Sequence, residues 1–291
     1  MNVNRKQLVL KAAAKAATVR RKAKIPATSP INIFDFCEKS GVSVLFQDIP
    51  SMEGIYMPDA SPKPAIVISS KRPAGRKAMT CGHEFGHHLF EHGHQWDELM
   101  EDREQSREFE PEEFLVDVFS SCLQMPKTAV CNAFTVRKIN PAKVTPQQAF
   151  NLSCYFGVSY GGFVHHSDRT LNLLSGEQAV ALAKRQPKDL REELLGEVCP
   201  QNLIVADLNW TDRTIDVEVG DSVILPPGTT LEGISASIKF ESGSRVVAAA
   251  ASPGISRASH ESGWCSFIRV SRKDYVGRAP FRFEEEVEDE D

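Results

Sequence analysis

The 291-residue sequence contains no apolar run close to the roughly 18 residues that a membrane-spanning helix requires. Lysine interrupts the stretch Gln7–Lys11, which therefore lacks the apolar core of a secretory signal. The seven cysteines are scattered and form no C-x-x-C pair, so neither a zinc ribbon nor a disulfide framework is indicated. No internal repeat is present. We therefore expect a cytoplasmic, globular protein with free and mostly buried thiols.

The charge of the chain is small overall but strongly segregated. A net charge of −5 combines a basic segment at 1–34, an acidic segment from Asp97 to Glu113 and an acidic tail from Glu284 to Asp291. An acidic chain is a poor candidate for direct nucleic-acid binding, because neutralising phosphates supplies most of the non-specific affinity. We expect the tail to be solvated and the acidic segment to be either a solvated loop or a surface that steers a basic substrate.

Periodicity and turn residues divide the chain into three regions and a tail, and they predict an α+β protein. Residues 1–130 combine helices with a small sheet, 131–197 are helical, 200–283 are rich in strands, and 284–291 form the acidic tail. Within these regions, we expect an amphipathic N-terminal helix and strands at 43–47 and 65–69. The helix after Pro73 should end near His92, and Thr145 and Gln148 are typical of a capping box at a helix start. Ser51–Gly54 carries turn residues and Ile215–Leu225 is typical of a single strand. His165 and His166 carry no motif and are expected at the surface.

The sequence His83-Glu84-Phe85-Gly86-His87 is an H-E-x-x-H motif inside a predicted helix that begins after Pro73. Residues four apart share one helical face, so both imidazoles can reach one ion. Glu84 lies beside them and can act on a metal-bound water. The motif predicts a metal site, although two incidental histidines on a helix remain the alternative.

A catalytic zinc needs a third protein ligand and one open position. The long metzincin pattern fails, because Phe90 and Gly93 occupy its glycine and histidine positions. Glu113, at the start of a helix predicted over 111–124, is the candidate, and Asp117 follows one turn later to orient a histidine. The alternative for Glu113 is an acid favoured by the helix dipole. Glu112, His92 and His94 are the competing ligands, although the histidines are expected on the surface.

Two segments resemble the ImmA/IrrE metallopeptidases. Met79–His87 matches their T-x-x-H-E-x-G-H helix, and the helix from Glu113 to Pro126 matches a pattern close to E-x-E-A-N-x-F-A-x-x-L-L-M-P. Asp117 replaces the usual asparagine, and Val116 and Ser120 replace alanines. The resemblance covers about the first 130 residues and, more loosely, the helical region.

The resemblance implies a zincin-like peptidase domain with a gluzincin-like site. His83, His87 and Glu113 would hold one Zn²⁺ per chain, with Mn²⁺ as another possible ion, and Glu84 would be the catalytic base. Tyr56 is a candidate oxyanion stabiliser by position, and a buried structural tyrosine is the alternative. The family further implies that the substrate is a cognate helix-turn-helix repressor, cleaved in a stress, phage or mobile-element response.

An alternative hypothesis is that the protein is a transcription regulator, which binds DNA or a partner protein and holds a structural metal. The segment from Gln147 to His166 is helix-turn-helix-like, which favours this alternative. Its second helix contains Gly161-Gly162 and few groups able to contact bases, so a packing or substrate-docking role is preferred. A closed structural site would also need four protein ligands, and only three are evident.

Overall fold

The structure, a computed structural model, describes residues 4–92, 95–98, 109–198, 201–211 and 213–285. His94, most of the acidic segment that starts at Asp97, and the end of the acidic tail lie outside these ranges. No helix within them combines the length and the apolar character that crossing a bilayer requires.

Helix α1 (Arg5–Lys22) is the predicted N-terminal amphipathic helix, and it buries Ala12 and Ala16. It packs along helix α4 (Pro111–Gln124). The buried guanidinium of Arg20 fastens the two helices, since it donates a 2.9 Å hydrogen bond to the carbonyl of Leu123. Helix α1 therefore supports the helix that carries Glu113 and Asp117.

The first sheet holds the helix with the H-E-x-x-H motif. Its strands are β1 (Ser43–Gln47), β2 (Met52–Met57), β3 (Ala65–Ser69), β4 (Gln95–Glu98) and β13 (Gly277–Arg278), in the order β13-β1-β3-β2-β4. Strands β1 and β3 are parallel, and the other neighbours are antiparallel. The helices α2 (Ile33–Lys39) and α3 (Ala74–Phe90) pack with this sheet.

The prediction of a turn at Ser51–Gly54 was wrong, because strand β2 begins at Met52. Gly54 pairs with Ile68 of β3 on one side and with Asp97 of β4 on the other. Pairing on both sides overrides the turn preference of the local sequence, which no short window can show.

The helical region follows α4 without a strand. It contains α5 (Lys127–Val136), α6 (Pro146–Phe156), α7 (Tyr160–Arg169), α8 (Gly176–Ala183) and α9 (Pro187–Leu195). Thr145 and Gln148 form the predicted capping box of α6, and Gly157 ends this helix with a φ of 69°. Ser159 then caps α7.

The strand-rich region forms two further sheets of four strands. One has the order β5-β7-β10-β9 and the other β6-β12-β11-β8. Their bounds are β5 (Leu203–Val205), β6 (Ile215–Glu218), β7 (Ser222–Leu225), β8 (Thr230–Glu232), β9 (Ala236–Ser242), β10 (Arg245–Ala250), β11 (Gly254–Ser259) and β12 (Cys265–Ser271). The predicted single strand Ile215–Leu225 was wrong, because β6 and β7 belong to different sheets and Gly220, with a φ of 94°, lies between them.

Two hydrophobic cores result. One core contains buried side chains of the four helices α1, α2, α3 and α4 and of the first sheet, together with Ala279 from the C-terminal part. The other combines buried side chains of the helical region with those of both later sheets, for example Phe156, Leu190, Leu203 and Val247. The predicted α+β class is confirmed, since the described residues combine helices with three mixed sheets. The domain boundaries and the helix-turn-helix-like character of α6 and α7 stay predictions.

Candidate metal centre

Helix α3 presents the H-E-x-x-H motif to the interior of the protein. Its residues His83, Glu84 and His87 are 4%, 0% and 1% exposed, so all three side chains are removed from bulk solvent. The helix ends at Phe90, and Glu91 follows in the left-handed conformation with a φ of 59°. The helix therefore stops slightly before the predicted end near His92.

Two glycines allow α4 to approach this helix closely. A Cβ atom at Gly82 would lie 2.4 Å from Ser120 Oγ, and one at Gly86 would lie 2.8 Å from Val116 Cβ. Gly82 and Gly86 are four residues apart and thus on one face, next to the histidines. Glycine at these positions brings the start of α4, with Glu113, up to the two imidazoles.

His83, His87 and Glu113 converge on one point. His83 Nε2 lies 3.0 Å from His87 Nε2 and 3.2 Å from Glu113 Oε2, and His87 Nε2 lies 3.4 Å from Glu113 Oε1. In a tetrahedral zinc site with bonds of about 2.0–2.1 Å, neighbouring ligand atoms are about 3.3–3.4 Å apart. The donor set therefore fits a zinc-sized ion with little movement.

Both histidines have a partner for their other ring nitrogen. His83 Nδ1 lies 2.7 Å from Asp117 Oδ1, and His87 Nδ1 lies 3.2 Å from His92 Nδ1. Such partners fix the tautomer and the orientation of a metal-bound imidazole. Asp117 thus contacts one of the two imidazoles, and its role in orienting a metal ligand stays a prediction. The sequence suggested His92 only as a competing ligand or a surface residue. In the structure it instead contacts Nδ1 of His87, the ring nitrogen on the side away from His83.

The acidic neighbours dominate the protonation of His83. Burial lowers its pKa, but hydrogen bonds to Asp117 and Glu113 outweigh this effect and raise the pKa from 6.5 to about 10. In the metal-free protein the ring is therefore protonated at neutral pH. Metal binding at this site must release a proton.

Glu84 lies on the side of α3 that faces strand β2. A Cβ atom at Gly54 would lie 3.4 Å from Glu84 Cγ and 2.5 Å from Thr80 Cγ2, so only glycine lets the strand pass this close. Glu84 is fully buried, and its negative charge helps to raise the pKa of His83, so its carboxylate lies near this ligand.

Tyr56 lies two residues after Gly54 on strand β2, and it contacts a later turn of helix α3. Its hydroxyl is 2.7 Å from His88 Nδ1. Burial raises the pKa of Tyr56 and lowers that of His88, so burial favours the neutral form of both groups. The structure therefore gives Tyr56 a histidine partner that the sequence did not indicate, and its role as an oxyanion stabiliser stays a prediction.

The remaining candidates are separate from this centre. Glu112 is exposed, and in the described residues the cluster able to hold a metal consists of His83, His87 and Glu113. His165 is exposed as predicted, but His166 is only 1% exposed, so its predicted surface position was wrong. Its Nε2 lies 3.0 Å from the carbonyl of Met125, the residue that follows α4.

Two imidazoles and a carboxylate on adjacent helices define a candidate metallopeptidase centre. Residues 37–167 match the peptidase M78 family, described as the IrrE N-terminal-like domain. The predicted ImmA/IrrE resemblance is therefore confirmed over these residues. The match contains all the residues of the centre. No curated protein matches the chain in sequence.

Proposed function

We propose that this protein is a zinc-dependent endopeptidase. The observation that carries the proposal is the convergence of His83, His87 and Glu113 beside a buried Glu84. Two imidazoles and one carboxylate are a donor set that catalytic zinc uses, and the set leaves a position for water or substrate. Mn²⁺ prefers sites richer in oxygen ligands, so zinc is the favoured ion.

Zinc bound by these residues would polarise a peptide carbonyl and lower the pKa of a bound water to about 7. The chain's own contribution is proton transfer and orientation. Glu84 would take a proton from the attacking water and pass it to the leaving amine. Asp117 and His92 would hold the two ligand imidazoles in the tautomer that leaves each Nε2 free for the ion.

Tyr56 is the candidate for the second donor to the oxyanion. Its hydroxyl lies 2.7 Å from His88 Nδ1, so it would have to exchange this partner for the substrate. The loss of a single oxyanion donor costs about 10²- to 10³-fold in turnover. A Tyr56→Phe variant with that loss and unchanged zinc affinity would support the role.

The substrate class follows from the family resemblance. We propose a helix-turn-helix repressor, since the family implies this target and an acidic segment precedes Glu113 in the sequence. A DNA-binding substrate is basic, and opposite charge raises the rate of encounter.

The alternative is a regulator with a structural metal. A structural zinc site needs four protein ligands, whereas the described residues supply three at this point. In α7, which would be the recognition helix of such a regulator, Phe163, Val164 and His166 are buried. The peptidase is therefore the better supported function.

The test is incubation of the zinc-loaded protein with the repressor encoded by a neighbouring gene. We expect cleavage by the wild type and none by Glu84→Gln, which should bind zinc as tightly as the wild type because Glu84 is not a ligand. Glu261→Gln is the matched control, since it removes an exposed acid outside the acidic segment and should leave cleavage unchanged. Cleavage by Glu84→Gln would exclude the mechanism, and a fourth protein ligand on the metal would favour the regulator.

A further inference from the structure

A second cavity lies away from the metal centre, where the three regions of the chain meet. This cleft of about 330 Å³ is lined by the first turn of α3, by α6 and the start of α7, and by strands β5 and β6. None of the four residues of the metal centre lines it. Pockets of roughly 300–1,000 Å³ at junctions of this kind commonly bind small molecules.

The walls of the cleft are mainly apolar. Phe150, Val158, Leu203 and Trp210 line it and are between 0% and 5% exposed, while Ile204 closes the side formed by β5. Phe150, Leu203 and Trp210 all belong to the core shared by the helical and strand-rich regions. Packing in this core fixes the positions of these side chains, and the apolar surface that they form suits a flat or branched apolar group.

Two arginines interrupt these apolar walls. Arg213 Nη1 donates to the carbonyl of Tyr155 at 2.8 Å, and its Cζ lies 5.6 Å from the Trp210 ring centre. Its Nε is buried without an acceptor in the described part of the chain, and so is the Nε of Arg191 on α9. Neither guanidinium forms an ion pair with a described carboxylate. Both line the cleft.

The other charged side chains around the cleft are already matched. Lys77 pairs with Glu218, and Arg282 pairs with Asp35 and Asp216. The carboxylate of Asp221 accepts hydrogen bonds from the backbone N–H groups of Asn202 and Glu218. Arg213 and Arg191 are thus the cations of the lining that form no ion pair with a carboxylate among the described residues. The charge of Asp216 acts on Arg213, but this carboxylate is paired with Arg269 and Arg282.

Both guanidinium groups line this cleft, and so does Cys154, whose thiol both charges affect. Burial raises the pKa of the Cys154 thiol to about 12, while the charges of both Arg213 and Arg191 act in the opposite direction. A desolvated cation without a counter-charge is costly. The fork of a guanidinium fits a carboxylate or phosphate, which can accept two hydrogen bonds at once.

We propose that this cleft binds a small molecule in which a carboxylate or phosphate group is attached to an apolar, ring-sized body. Arg213 and Arg191 bind the anionic group, and the walls around Phe150 and Trp210 bind the apolar body. The site is independent of the metal centre, although the first turn of the helix that carries His83 and His87 forms one of its walls.

The experiment is a fluorescence titration of the full-length protein with 1-anilinonaphthalene-8-sulfonate, an aromatic anion. We expect saturable binding of one dye per chain, weakened at least tenfold by Arg213→Met and by Arg191→Met. Arg257→Met is the matched control, because it removes an exposed arginine on β11 and should change the affinity less than twofold. N-phenyl-1-naphthylamine, which lacks the sulfonate, should bind the wild type and both cleft variants equally.

Circular dichroism of each variant shows whether it is folded, and if Arg213→Met does not fold, Arg191→Met decides the question. Competition with benzoate and with phenyl phosphate at constant ionic strength then shows which anionic group the site prefers. Unchanged dye affinity in a folded Arg191→Met protein, non-saturable binding or the failure of both competitors would overturn the proposal. None of these results depends on peptidase activity.

Discussion

Replacing Gly86 by alanine tests whether the contact between α3 and α4 sets the metal site. The new Cβ would lie 2.8 Å from Val116 Cβ, 3.0 Å from Val116 Cγ1 and 3.2 Å from Phe119 Cδ1. Because Val116 meets it through its Cβ, whose position the backbone fixes, a change of rotamer cannot relieve the clash. The helices must separate by about 0.6 Å or more to restore ordinary contact distances of at least about 3.4 Å.

A shift of this size exceeds what the metal site tolerates. Ligand distances in metal sites must stay within about 0.2 Å of their usual values, and Glu113 moves with α4. We expect Gly86→Ala to weaken zinc binding at least tenfold. For stability, overpacking costs about 1–3 kcal/mol, and the better helix propensity of alanine offsets about 1 kcal/mol. The net loss should therefore be about 0–2 kcal/mol.

The matched control is Gly161→Ala in α7, where an added Cβ has no neighbour within 4 Å. It should stabilise the protein by about 0.5–1 kcal/mol and leave zinc affinity unchanged. Zinc affinity is measured by competition with a chromophoric chelator, and stability by urea unfolding of the metal-free proteins. If Gly86→Ala bound zinc like the wild type and gained stability like Gly161→Ala, the close approach of the helices would not position Glu113.

Two further predictions concern ligand orientation and acid stability. Asp117→Ala and His92→Phe should each weaken zinc binding by roughly 10- to 100-fold, as measured with the same chelator, because each removes the partner of a ligand imidazole; wild-type affinity in either variant would show that its side chain is not needed. Burial lowers the pKa of His166 from 6.5 to about 4, so the unfolded chain binds more protons between these values and stability falls as the pH drops through this range. The loss should reach about 3 kcal/mol at pH 4. His166→Gln keeps a donor for the carbonyl of Met125 and should remove the part of the pH dependence that comes from His166. If the free energy of unfolding fell with pH equally steeply in the variant and the wild type, His166 would not be the group responsible.

The sequence by itself determined the elements whose signals are local. Helix α4 was predicted over 111–124 and is found there, because Pro111 favours the first helical position and Pro126 follows the end. The strands at 43–47 and 65–69 also match their predictions. The H-E-x-x-H spacing alone places two imidazoles on one helical face, so His83, Glu84 and His87 needed no tertiary information to be found.

Tertiary structure decided what depends on distant pairs of residues. Strand β2 exists because β3 and β4 pair with it, and β13 joins β1 from the far end of the chain. The position of His92 behind His87 depends on how the chain turns after α3. The cleft around Arg213 forms only where three regions pack together. Contacts between residues far apart in sequence leave no periodic signal in either segment, so the folded structure was needed to show them.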